Sequence, residues 1–266
     1  MSNPGLLAGK RGLIIGVAND HSIAWGIAGS AAANGAELAF TYQPGFEKRV
    51  LPLAEKAGAK HVFPLDAEDD ASIDSVFDNL GKAWDRLDFL VHSIAYSDKT
   101  ELSGRYVDTT RANFARTLDI SCFSFSAIAR RAAPLMTNGG SMLTLTYSGA
   151  ERVMPNYNIM GVAKAALEAS VRYLAVDLGA DGIRVNALSA GPMRTLAGSA
   201  VGGARQVYKW NAEYSPLRRN TQLDDVGGAG LYLLSDLSSA VTGEVMHVDS
   251  GYNTVGVPDL LRHRDK

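Results

Sequence analysis

Short apolar runs rich in β-branched residues recur along this chain, separated by stretches with helical spacing, and that alternation restricts its fold more than any other feature. Runs at residues 13–17, Glu37–Tyr42, 61–65, 89–93, 141–146, 184–188 and 245–249 predict strands. Between them, helical patterns predict helices near 22–34, 46–57, 70–83, 110–136, 157–179 and 224–234. In the first of these, Ile23, Ile27, Ala28 and Ala31 fall on one face. A strand that is apolar at nearly every position needs cover on both faces, which is the condition of a parallel sheet. Strand and helix in alternation then imply right-handed crossovers and an α/β, doubly wound, Rossmann-like sheet.

The bulk numbers fit one domain built this way. Of 266 residues, 46% are hydrophobic and 20% charged, enough for a sizeable core. There is no linker rich in Pro, Gly or Ser, no low-complexity tract and no repeat, so residues 1–266 read as one domain. A formal net charge of -2 offers no broad attraction to phosphate backbones, so no nucleic-acid partner is expected. No apolar run approaches the roughly 20 residues that span a bilayer, and no membrane partner is expected. The single cysteine, Cys122, excludes an intramolecular disulfide and fits a reducing compartment; it reads as a small buried residue. The opening Met1-Ser2-Asn3-Pro4-Gly5 has neither the basic nor the apolar stretch of a signal peptide. A cytoplasmic protein is the expectation, and no metal site is called for.

The segment Gly16-Val17-Ala18-Asn19-Asp20-His21-Ser22-Ile23-Ala24-Trp25-Gly26 runs from the first strand through a loop into the first helix. Gly16 permits a sharp turn and close approach to a ligand. Ser22 stands at the helix N-cap, where exposed amides can hold a pyrophosphate, and Gly26 is expected to allow close helix–strand packing. The loop is longer than the strict G-x-G-x-x-G fingerprint, and turn glycines occur in every fold. Its place, between first strand and first helix, is where dinucleotides bind. The acidic residue usual about 20 positions on is absent, and the second strand ends Thr41-Tyr42-Gln43. Gln43 can bond the adenosine ribose without attracting or repelling a 2′-phosphate; it can equally be a solvent-facing loop amide. Asp66 ends the third strand where a carboxylate can meet the adenine amino group, and Ile94 follows the fourth.

Tyr157 and Lys164 open the long helix predicted at 157–179 and lie almost two turns apart on one face. A lysine ammonium there can hold the nicotinamide ribose and lower the pKa of a nearby phenol. The tyrosine can then donate to a developing oxyanion. Tyr147, after the fifth strand, can line the same site. Amphipathic helices also carry Tyr and Lys without function.

On the Gly16–Gly26 segment, the Tyr157-x6-Lys164 spacing, Gly191-Pro192-Met193-Arg194-Thr195 and Ser215-Pro216-Leu217-Arg218-Arg219, the sequence resembles the short-chain dehydrogenase/reductase superfamily. Within it, the chain is similar to the bacterial NADH-dependent enoyl-acyl-carrier-protein reductases, from Lys10 to about Gly256. Most of the superfamily places Tyr four residues before Lys, where Met160 stands, and Ser thirteen residues earlier, where Tyr147 stands. The resemblance implies that Gly16, Ser22, Ile23, Gln43, Asp66, Ala67, Ile94, Lys164, Met193, Arg194, Thr195, Leu196 and Ala197 contact NADH. It implies Tyr157 as the catalytic tyrosine with Tyr147 and Lys164 beside it. It further implies Ser97, Tyr147, Tyr157, Met160, Val201, Ala204 and Val207 on the substrate side, under a mobile lid near 197–210. Relatives often carry Phe where Ala204 stands and Met or Ile where Val207 stands, so the lid departs from the family pattern.

The implied reaction is reduction of the trans-2 double bond of enoyl thioesters on acyl carrier protein by NADH, in a homotetramer. The tyrosine spacing suits it. In ketone reduction the carbon that takes hydride bears the oxygen, whereas in conjugate reduction the oxygen lies two carbons further away. An acid one helical turn further from Lys164 matches that reach. A ketone or alcohol dehydrogenase with unusual spacing, and a silent nucleotide-binding protein of the same fold, stay open on the residues alone.

Overall fold

The computed structural model of the chain describes residues 5–196, 198 and 202–257. Among them, seven strands form one parallel sheet: β1 (Arg11–Ile15), β2 (Glu37–Tyr42), β3 (His61–Pro64), β4 (Phe89–His92), β5 (Gly140–Thr146), β6 (Ile183–Ala190) and β7 (Val245–Val248). Their order is β3-β2-β1-β4-β5-β6-β7. The helices are α1 (Ile23–Ala33), α2 (Glu47–Lys56), α3 (Asp70–Ala83), α4 (Arg111–Leu118), α5 (Ser124–Ala132), α6 (Asn158–Gly179), α7 (Ala204–Tyr214) and α8 (Leu223–Leu234).

Successive side chains of a strand point to opposite faces, so each strand feeds two cores. Leu13 and Ile15 of β1, Leu90 of β4 and Val185 of β6 pack with Ile73, Phe125 and Leu167 of α3, α5 and α6. Ile14, Val91, Leu143 and Leu188 pack with Ile27, Ala54 and Leu233 of α1, α2 and α8. Leu13, Ile14 and Leu90 are fully buried; burying such a side chain stabilises by roughly 1.5–3 kcal/mol. The expected doubly wound sheet is the fold observed.

Three local readings need correction. Gly26 serves helix–helix rather than helix–strand packing: a Cβ there would lie 2.8 Å from the Leu223 carbonyl, and one at Gly227 would lie 2.8 Å from the Gly26 carbonyl. The helix expected over 110–136 is present but not regular along its length. Between α4 and α5 the chain makes a π turn over Asp119–Phe123. There the Ser124 hydroxyl donates to the Ile120 carbonyl at 2.7 Å, and the Ser121 hydroxyl pairs with both backbone groups of Tyr96. Side-chain hydroxyls that bond backbone groups compete with the regular helical ladder. Lastly, α7 lies where the apolar spacing predicts no helix, and it overlaps the expected lid near 197–210. It is held by tertiary contacts rather than a broad apolar face: Trp210 donates to the Tyr252 hydroxyl at 2.8 Å, and the Arg194 guanidinium lies 4.8 Å from the Tyr208 ring centre.

Candidate active site

The sheet order reverses between β1 and β4, and in open α/β sheets the crevice at that switch, outside the carboxyl ends, takes the ligand. Gly16 follows β1 there with a positive φ of 97°. The approach it permits is to the protein itself, since a Cβ would lie 2.0 Å from the Ser93 carbonyl oxygen. The Ser22 hydroxyl accepts from the amides of Ala18 and Asn19 at 3.0 and 3.1 Å. It shapes the loop and leaves the N-terminus of α1 without a side-chain cap. Uncapped first-turn amides are the donors a pyrophosphate needs, so the residues present fit a dinucleotide.

Ile23 begins α1, and exposed Gln43 follows β2. Half-buried Asp66 and Ala67 follow β3, where the Asp66 carboxylate accepts the Glu68 amide at 3.0 Å. Ile94 lies just past β4, packed against the core. Beyond β6 come Met193, Arg194, Thr195 and Leu196, with Arg194 turned to the Tyr208 ring. Ala197 and Val201 lie outside the described residues.

Tyr157 immediately precedes α6 rather than opening it. It is flanked by Asn156 and Asn158, both with positive φ (61° and 41°). The Asn156 side chain donates to the Gly202 carbonyl and that of Asn158 to the Glu101 carbonyl, each at 3.1 Å. These bonds hold the turn in a conformation that asparagine tolerates better than most residues. The ring lies on Gly149, where a Cβ would come within 2.3 Å of it. Tyr147 meets it edge-on, with ring centres 5.1 Å apart. Lys164, 5% exposed, donates to the Leu145 carbonyl at 2.7 Å.

The expectation that Lys164 lowers the Tyr157 pKa does not hold. Burial, then Tyr147 and Glu168, push the Tyr157 phenol above its ordinary value, and burial raises Tyr147 as well. Burial holds the Lys164 ammonium down to about 8. At neutral pH the site therefore presents a neutral phenol, a hydrogen-bond donor, beside a cation.

A cavity of about 350 Å³ opens beside Tyr147, between Met154 and Pro155, Pro192, and Val207 and Trp210 of α7. Of the expected substrate residues, Tyr147 and Val207 line it, whereas Tyr157, Ala204 and Met160 do not. Met160 is buried on α6. Ser97 also departs from expectation: its hydroxyl faces α4, accepting from Thr117 at 3.0 Å and from the Asn113 amide at 3.2 Å. Sequence reasoning missed Met154, Pro155, Trp210 and Tyr252 in the cavity wall, and Glu168 behind Lys164. Glu168 was legible only as a residue four positions after Lys164.

Comparison with known proteins decides the family. The family profile described as "Enoyl-(Acyl carrier protein) reductase" matches residues 16–253. The chain belongs to that family. The Rhizobium meliloti (strain 1021) protein named "Enoyl-[acyl-carrier-protein] reductase [NADH] 2" is 63% identical, with 96% of each chain covered. A crystal structure of the Anaplasma phagocytophilum enoyl-acyl-carrier-protein reductase in complex with NAD superposes with a TM-score of 0.93 at 57% identity, covering 98% of both chains. The Bacillus cereus enoyl-acyl-carrier-protein reductase, solved with NADP+ and an indole naphthyridinone, has a TM-score of 0.93 at 47% identity, over 95% of this chain and all of that one. Among the described residues of this family member, no helix is long and apolar enough to cross a membrane.

Proposed function

We propose that this enoyl-acyl-carrier-protein reductase uses NADH to reduce the trans-2 double bond of enoyl thioesters presented by acyl carrier protein. The observation that carries the reading is the pair of edge-on tyrosines, of which Tyr147 lines the cavity while burial keeps Tyr157 behind it a neutral phenol. Bound NADH supplies the hydride for the β-carbon. Tyr157 donates to the thioester oxygen as negative charge develops there, an interaction that strengthens toward the transition state. Lys164, the loop at Gly16 and Ser22, and residues 193–197 hold the cofactor. Gln43, Asp66 and Ala67 would hold its adenosine end, and Ile94 would also contact the cofactor. Oxidation of NADH by a crotonyl thioester, with none by a ketoacyl thioester, is the expected result. Turnover of the ketoacyl compound alone would replace this reading with that of a ketone reductase.

Cofactor choice follows from the tip of β2. Gln43 is neutral, and Lys48 and Arg49 lie several residues on. A 2′-phosphate there gains no charge-assisted bond from Gln43. The kcat/KM for NADH should exceed that for NADPH, and parity in steady-state assays would overturn the assignment.

The lid reading extends to residues 197–210, including the N-terminal part of α7, which borders the cavity through Val207 and Trp210. Closure over the acyl chain is a gating role common in enzymes. Amide exchange in this segment should slow on adding NADH with an inhibitor; equal protection in both states argues against a lid.

Exposed Phe123 of the π turn and Tyr173 and Val176 of α6 are 57%, 76% and 80% exposed, an apolar set that suits two-fold contacts in a homotetramer. Light scattering should give about four times the chain mass of 28.3 kDa, and a monomer at micromolar concentration contradicts it. A cytoplasmic location, supported by the lone unpaired Cys122, is checked by cell fractionation.

A further inference from the structure

Glu168 follows Lys164 by one turn on α6, so the two side chains share a face. Glu168 is only 8% exposed, and its carboxylate accepts the Thr146 hydroxyl at 2.6 Å. Thr146 ends β5, and the next residue is Tyr147. One hydrogen bond thus joins the strand end that carries Tyr147 to the helix that carries Lys164 and follows Tyr157.

A buried carboxylate is costly unless it is bonded and balanced by charge. The groups that face Glu168 are Lys164, Tyr157 and Arg172 on or beside α6, Glu151 after Tyr147, and His247 of β7. His247 and Glu151 pair with each other at 2.9 Å. Around Lys164 stand Cys122 of the π turn and His92 of β4. The His92 nitrogens are occupied by the hydroxyls of Thr144 and Ser124, both at 2.9 Å. Burial holds that imidazole down to about 3, so it is neutral. Cys122 and, as the nearby carboxylate, Glu168 then favour the buried ammonium; burial raises Glu168 itself, and its bond from Thr146 opposes that rise.

We propose that Glu168 is a positioning residue for the reduction: through Thr146 it sets Tyr147 against Tyr157, and its charge keeps Lys164 an ammonium for the cofactor ribose. The inference rests on Lys164 as the ribose-holding residue. Lys164 is charged below about 8 and loses its proton as pH rises through that value. NADH affinity of the wild type should therefore weaken above about 8. Removing the neighbouring carboxylate makes the ammonium harder to keep, so the alkaline weakening moves to lower pH.

Two substitutions separate the charge from the bond. Glu168→Gln retains an oxygen for Thr146 and loses the charge. Thr146→Val retains the charge and loses the bond. NADH fluorescence titrated from pH 6 to 9.5 should place the alkaline limb of Glu168→Gln about one unit below that of the wild type. Thr146→Val should keep the wild-type limb while its kcat falls by about tenfold, because the tyrosine pair is displaced. A limb unmoved by Glu168→Gln, or moved by Thr146→Val, overturns the inference. If Glu168→Gln does not fold, the limb and kcat of Thr146→Val decide alone. A wild-type affinity flat with pH would instead sink the role of Lys164 on which the inference rests.

Discussion

Replacing Lys164 with alanine should raise the dissociation constant for NADH by roughly 10- to 100-fold, the range for losing a charge-assisted hydrogen bond. Two features set the size of the effect. The ammonium is buried and already committed by one donor to the Leu145 carbonyl, so it is aimed rather than free to wander. Its loss also leaves Glu168 without the cation one turn away. Tyr157→Phe should behave differently, lowering kcat by about a hundredfold at most while NADH binds nearly as before. The phenol is raised by burial, and in the proposed role it would meet the substrate as a donor, through a bond that gains strength only as charge builds on the thioester oxygen. Tyr147, with its ring centre 5.1 Å away, can take part of the load and sets the upper limit. NADH fluorescence titration with steady-state rates for both variants decides the matter. If Tyr157→Phe loses cofactor affinity while Lys164→Ala retains it, the two roles are exchanged.

Gly16→Ala should abolish NADH binding and lower Tm by roughly 10 °C, equivalent to about 4 kcal/mol for a chain of this length. Its φ of 97° lies where side chains are rarely accommodated. The added Cβ would lie 2.0 Å from the Ser93 carbonyl oxygen, a backbone atom that cannot swing aside. Relief requires the ends of β1 and β4 to separate, and those two ends form the crevice. A melting curve and a cofactor titration on the same sample test this. A variant with native Tm and native affinity would show that the loop adapts.

Much of this protein is legible from its order of residues. The seven strands and most helices follow from apolar periodicity because strand and helix periods are local properties, set by how successive side chains project from a backbone. Continuous apolar runs such as Gly12-Leu13-Ile14-Ile15 imply cover on both faces, which leads to the parallel sheet and to its crevice. The set of Tyr147, Tyr157 and Lys164 could be picked out by spacing and by resemblance.

Other features depend on residues far apart in the chain. The partner of Gly26 is Leu223, nearly 200 positions away, and no local pattern distinguishes a glycine that admits a helix from one that admits a strand. The π turn at Asp119–Phe123 arises where serines of a helical sequence meet the backbone of Tyr96 and the ring of His92. The helix α7 rests on Tyr252 and Arg194. The charge states of the site were set in the same way. Sequence proximity suggests that Lys164 acidifies Tyr157, but desolvation raises the phenol and lowers the ammonium, and desolvation exists only once the core has closed around both. Periodicity and spacing are carried by neighbours along the chain, whereas burial, close approach and electrostatic environment are carried by neighbours in space.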